Sequence, residues 1–227
     1  MMNEIKKELR KLADPEKAKL LQGFFKTGPG EYGEGDVFLG IVMPKQREVV
    51  KKYKDASFED VRALLDSEIH EHRMVGLLIL VQKYPKDKKR IYDFYMKNRK
   101  RINNWDLVDV TTPNIVGDYL LDKDRRVLYE LAKSKNIWER RISVLATFMF
   151  IKNNDYDDSL KIAELLLEDK HDLIHKAVGW MLREIGKRDQ RVEERFLKKY
   201  HKKMPRTMLR YAIERFDERK RKYYMKK

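Results

Sequence analysis

The chain has 227 residues, with 52 Lys and Arg against 37 Asp and Glu, a formal charge of +15 at pH 7. A hydrophobic content of 42% and 24 aromatic residues (3 Trp, 12 Tyr, 9 Phe) are too high for a disordered polyelectrolyte, so a folded body with an anionic partner is expected. The absence of Cys excludes a disulfide scaffold, a thiol nucleophile and a Cys-ligated zinc, and no apolar run approaches the ~20 residues of a membrane span.

The start, Met1-Met2-Asn3-Glu4, lacks a signal-peptide core, and a cytoplasmic, nucleoid-associated protein is expected. Asp14-Pro15 then places a capping residue before a first-turn proline, and Pro44, Pro85 and Pro205 can serve the same way. Six of the ten Gly fall between Gly23 and Gly40, and the stretch KTGPGEYGEGDVFLG reads as one long loop. Only four Gly follow in the remaining 187 residues, which argues against strands joined by tight turns. Apolar residues recur instead at helical spacing: Leu64, Met74, Leu77, Leu78 and Val81 mark buried stripes on two successive helices. Ser57-x-x-Asp60 and Asn136-x-x-Glu139 have the pattern of capping boxes. The fold class predicted is all-α.

A repeat organises these helices. Helix starts near Glu68, Asn104, Asn136, His171 and Pro205 are 36, 32, 35 and 34 residues apart. Second helices are expected at 87–99, 125–133, 157–168 and 191–200. A helix pair every ~35 residues, without the Trp/Gly/Tyr pattern of tetratricopeptide repeats, predicts a right-handed α-solenoid of HEAT-like repeats with a concave basic groove. We expect a single DNA-binding domain over residues 1–227, with the basic tail 217–227 either folded or trailing as a flexible arm.

Corresponding positions in the repeats carry the functional signal. Five residues past the proposed caps stand Asp109, Arg141 and Lys176, and within about one residue of that place stand Arg73 and Arg210. A row of Arg73, Arg141, Lys176 and Arg210 suits a polyanion backbone, and duplex DNA is the commonest rigid one. Asp109 has the wrong sign for that row. A carboxylate that repels phosphate suggests a catalytic use, the stabilisation of a developing cation, although an Asp held by a neighbouring Arg as a buried pair is the alternative. Asp106 and Asp118 are expected to be held in that structural way. The three Trp stand in successive first helices. Trp105 is one turn before Asp109, Trp180 one turn after Lys176, and Trp138 reads as core.

The segments Asn104-Trp-Asp-Leu-Val-Asp109, Asn136-Ile-Trp-Glu-Arg-Arg141 and Lys176-Ala-Val-Gly-Trp-Met-Leu-Arg-Glu184 resemble the AlkD family of alkylpurine DNA glycosylases. Phe38-Leu-Gly-Ile41 followed by Pro44, and Leu209-Arg-Tyr-Ala-Ile213, extend the resemblance from about Asp14 to Phe216. The Gly-rich insertion before Phe38 resembles a loop of other branches. The resemblance implies a fold of HEAT-like repeats and excision of N3- and N7-alkylated purines. It implies Asp109 as the catalytic carboxylate, Trp105 and Trp180 as tryptophans packing at the lesion's deoxyribose, and Arg141 as a grip on the backbone near the lesion. All four are present, unlike in the family's non-glycosylase relatives. It further implies that the base stays stacked rather than flipped; no cofactor or metal is expected. The partner would be double-stranded DNA with alkylated purines, with no membrane association and the protein acting as a monomer. A non-catalytic HEAT-repeat protein that binds bent or branched DNA is the alternative.

Overall fold

In the computed structural model, which describes residues 1–226, the chain is all-α, and no β-strand forms among the described residues. It divides into two compact units, one of Met1–Thr111 and one beginning at Thr112.

The first unit contains α1 (Met2–Lys11), α2 (Pro15–Phe24), α3 (Met43–Lys52), α4 (Phe58–Leu65), α5 (His70–Lys83), α6 (Lys88–Lys97) and α7 (Trp105–Thr112), whose last residue lies past the unit boundary. Local chemistry accounts for the starts. Asp14 accepts from the Lys17 amide ahead of Pro15, and Ser57 and Asp60 form a reciprocal capping box at α4. α5 is buried from His70 through Leu80, on every face, as befits the central helix of its unit. Around it lie fully buried Ile5 and Leu9 of α1 and Leu64 and Leu65 of α4.

The Gly-rich segment is a loop, as expected, but it is tied down. Val37 forms an isolated parallel bridge with Ile69, its carbonyl accepting from the His70 amide at 2.8 Å. Gly40 sits at φ +82°, and a Cβ there would lie 2.2 Å from the Asp14 carbonyl, so only glycine fits this turn. The buried carboxylate of Glu71 accepts from three successive backbone amides, Leu39 (2.9 Å), Gly40 (2.8 Å) and Ile41 (3.1 Å). One acid on α5 thus satisfies the donors of a loop that has no helical or sheet partners for them.

The second unit opens with a π-helical turn, Pro113–Gly117, where Pro113 cannot donate to a regular ladder. It continues through α8 (Arg126–Ala132), α9 (Ile137–Lys152), α10 (Asp157–Leu165), α11 (Asp172–Gly186), α12 (Gln190–Tyr200), α13 (Arg206–Ala212) and α14 (Glu218–Met225). The observed starts at α5, α7, α9, α11 and α13 match the 32- to 36-residue repeat read from the sequence. Asn136 does cap α9, through the Trp138 amide, but the expected box does not close, because Glu139 accepts from Ser134 instead. Gly179 lets α11 and α13 touch: a Cβ there would lie 2.4 Å from the Met208 carbonyl. Of the two states open to the basic tail, residues 218–225 take the folded one, a helix capped by Asp217, with Tyr224 buried against Phe216 and Lys220 paired with Glu194. Aromatic packing and the ion pair offset the like-charge repulsion within the run. Lys227 lies outside the described residues.

Candidate active site

In the first unit, α7 places Trp105 and Asp109 one turn apart on one face, both half-buried. Trp105 ends an aromatic stack. Its ring lies 5.0 Å from Phe25 at an interplanar angle of 10°, Phe25 lies 4.9 Å from Phe38, and Phe38 lies 4.4 Å from the His70 ring. Phe24, 62% exposed, meets Trp105 edge-on at 5.9 Å. Such pairs are worth about 0.5–1.5 kcal/mol each beyond simple burial, so the indole is held at a defined angle rather than left to sample rotamers.

A buried polar network lies behind this stack. Asp36, from the Gly-rich loop, accepts from His70 Nδ1 at 3.0 Å, from Asn104 Nδ2 at 2.9 Å and from the Arg73 guanidinium. His70 Nε2 lies 2.8 Å from Asp106 Oδ2, and Asn104 Oδ1 accepts from the Trp105 amide at 2.8 Å. Burial pushes the Asp36 carboxyl up, but the His70 bond, the Arg73 charge and the Asn104 bond outweigh it and hold it below the ordinary carboxylate range. Burial pulls the His70 imidazole down, yet its bonds to Asp106 and Asp36 raise it to about 8. Asp106 is held as a structural acid, but by His70 rather than by the arginine expected for it.

Arg73 leaves the proposed phosphate-binding row. It is 3% exposed, and its guanidinium is spent on Asp36 and on the carbonyls of Ser67 and Glu68. The reason is packing: α5 is buried on every face from His70 through Leu80, so no register along it turns Arg73 to the surface.

In the second unit, Arg141 on α9 is 5% exposed, and its Nη1 donates to the Leu173 carbonyl at the start of α11. Trp180 on α11 is half-buried; its indole N–H donates to Glu184 Oε1 at 3.2 Å, and its ring packs on Phe148 at 5.8 Å. Lys176 pairs with Asp172 at 2.7 Å one turn earlier, and Arg210 on α13 is exposed. Trp138 is buried, as its reading as core required.

Sequence reasoning named Trp105 and Asp109 but missed what holds them. Asp36, His70 and Asn104 lie 34 residues apart in each step, and no local spacing links a loop aspartate to two helix starts. The one available signal was a histidine at a helix start, in Ile69-His-Glu-His-Arg73, which resembles no metal motif. No group of His, Asp or Glu able to hold a metal ion occurs among the described residues, and no helix among them is long and apolar enough to cross a membrane.

A family model described as "DNA alkylation repair enzyme" matches residues 5–216. No curated protein matches the chain significantly. Three solved structures share its fold at low identity. A protein described as a "Predicted DNA alkylation repair enzyme from Enterococcus faecalis" is 18% identical with a TM-score of 0.70, over 91% of this chain and 97% of that one. AlkD2 from Streptococcus mutans is 17% identical with a TM-score of 0.57, over 89% of this chain and 99% of that one. The protein smu.31 from Streptococcus mutans UA159 is 18% identical with a TM-score of 0.54, over 74% of this chain and 87% of that one. With the match running from the first turn of α1 to Phe216, four residues past the end of α13, the chain belongs to the DNA alkylation repair enzyme family, and its role is in DNA repair.

Proposed function

We propose that the protein is a monofunctional DNA glycosylase that hydrolyses the N-glycosidic bond of cationic N3- or N7-alkylated purines in duplex DNA, without flipping the base. One observation carries the reading: Asp109, a half-buried carboxylate in a chain of charge +15, lies one turn from a tryptophan whose ring is locked by stacking.

An alkylated purine of this kind already bears positive charge. When the bond from C1′ to N9 breaks, its electron pair returns to the base, which leaves neutral and needs no general acid. This differs from glycoside hydrolysis, which requires an acid for the leaving oxygen as well as a second carboxylate. Asp109 stabilises the oxocarbenium-like sugar and orients a water; the water oxygen bonds to C1′ and its proton passes through the carboxylate to solvent. The Trp105 ring offers its negative face to the same developing charge, an interaction worth about 0.5–2 kcal/mol. Both effects grow on going to the transition state, which is the condition for raising the rate. Selectivity then follows from the lability of the cationic lesion, and uncharged adducts such as 1,N6-ethenoadenine are poor substrates. No lysine is assigned a Schiff-base role, so the abasic strand is left uncleaved.

In the second unit, the proposal gives Trp180 the role of second tryptophan and Arg141 that of the backbone grip on the resemblance alone, since the Arg141 side chain is almost wholly covered. Lys176 and Arg210 supply the phosphate contacts. Replacing both by Ala is expected to lower the slope of log K against log salt by about 2, close to 0.9 per phosphate contact. Titration of binding to a methylated duplex across salt concentrations measures this, and an unchanged slope removes the pair from the interface.

The deciding experiment is release of 7-methylguanine from a duplex by the wild-type protein. Release with an intact abasic strand supports the glycosylase. Tight duplex binding by folded protein without release favours the alternative, a non-catalytic reader of bent or branched DNA.

A further inference from the structure

We infer that His70 is a positioning residue for Trp105 and α7, acting as a latch that holds only while both ring nitrogens carry protons and bridge Asp36 to Asp106. The inference rests on the assignment of Trp105 and Asp109 to catalysis, but half of its test does not depend on activity.

The geometry leads to this by hydrogen counting. His70 Nδ1 faces a carboxylate oxygen at 3.0 Å and Nε2 faces another at 2.8 Å. An ionised carboxylate only accepts, so both bonds are satisfied together when the ring is an imidazolium. A neutral ring donates once and turns a lone pair toward the other carboxylate, in a site where His70 is 2% exposed and no bulk water screens the repulsion. The charged and polar groups facing the ring are Asp36 from the loop, Asp106 from the first turn of α7, Arg73 one turn along α5, and Asn104, which reaches Asp36 from the entry to α7. Phe38 and Phe25 cover the ring itself, at 4.4 and 5.2 Å. Asp106 is the residue after Trp105, and Phe25 is the ring on which Trp105 stacks. His70 therefore supports the indole from two directions, through the polar start of α7 and through the aromatic stack.

The imidazole is raised from its ordinary 6.5 to about 8, so the folded protein retains the proton. The stability that this bridge contributes is fully present below pH 6.5 and is lost as pH rises through about 8. Arg73 opposes the charge, but its guanidinium is ion-paired with Asp36 and cannot replace His70 at Asp106.

Two measurements test the latch. The first follows the indole N–H resonance of Trp105, assigned by its loss in Trp105→Phe, together with the His70 ring nitrogens, by NMR between pH 6 and 9. The Trp105 resonance is expected to shift with the midpoint of the His70 titration and to stay flat in His70→Gln. A Trp105 signal that does not follow His70 overturns the latch whatever the enzyme does. The second is the single-turnover rate of 7-methylguanine release at saturating protein. A protonated fraction near one tenth, one pH unit above the midpoint, predicts about a tenfold fall between pH 7 and 9 in the wild type. The fall should be absent in His70→Gln, which is slow throughout. A flat wild-type profile, or the same fall in His70→Gln, overturns the role in positioning. If His70→Gln does not fold, Asp106→Asn provides the comparison, since its amide can accept from a protonated ring nitrogen or donate to an unprotonated one and should flatten the profile. Absence of release at every pH, with the Trp105 and His70 resonances still coupled, counts against the glycosylase and leaves the latch standing.

Discussion

Asn at position 109 is expected to reduce 7-methylguanine release by about 10²–10³-fold while duplex binding is kept, the cost typical of removing one preorganised electrostatic contact to a charge that develops in the transition state. The substitution is nearly isosteric and takes away one negative charge. Ground-state affinity for DNA should be unchanged or slightly higher, because a like charge facing phosphate is gone. The loss therefore falls on the chemical step, and single-turnover rates beside binding isotherms separate the two. A rate within about threefold of the wild type would make Asp109 a structural acid like Asp106, and catalysis would have to be sought elsewhere on α7.

Glu71→Gln should give the largest loss of stability. Its carboxylate takes Gly40 and Ile41 amides on Oε1 and the Leu39 amide on Oε2, with 1% of the residue exposed. A glutamine oxygen can keep the first two, but its NH₂ then faces the Leu39 N–H, donor against donor. Losing a charge-assisted bond and stranding a buried donor costs about 3 kcal/mol. At about 2–4 °C per kcal/mol for a chain of this size, the melting temperature should fall by roughly 6–12 °C. Because Leu39 follows Phe38, a ring in the stack under Trp105, activity should fall as well, and more steeply than the stability loss alone requires at low temperature. A melting temperature within two degrees of the wild type would show that solvent or the Gly-rich loop itself can satisfy those amides.

The helices were legible because their causes are local. Caps at Asp14, Ser57 and Asn136, the apolar spacing of α4 and α5, and recurrence every 32–36 residues all lie within a turn or a repeat, and the structure follows them closely. Trp105 and Asp109 were legible for the same reason: four residues apart on a helix is one face, whatever surrounds it. Arg73 was misjudged because α5 is buried on every face, a packing that position along one helix does not reveal. The order of the tail was not legible because its run of Arg and Lys says nothing of the tyrosine that packs it down, Tyr224 against Phe216.

The amino-acid order alone determined the all-α repeat, the cationic character and the pairing of one acid with one tryptophan, since each depends on composition or on contacts within a few residues. Only the tertiary structure decided what holds that pair in place. Asp36, His70, Arg73 and Asn104 meet because a glycine-rich loop folds back between the starts of two helices, and the sign of their interaction depends on burial, which no spacing encodes. The same burial that removes Arg73 from the surface gives His70 its two carboxylate partners.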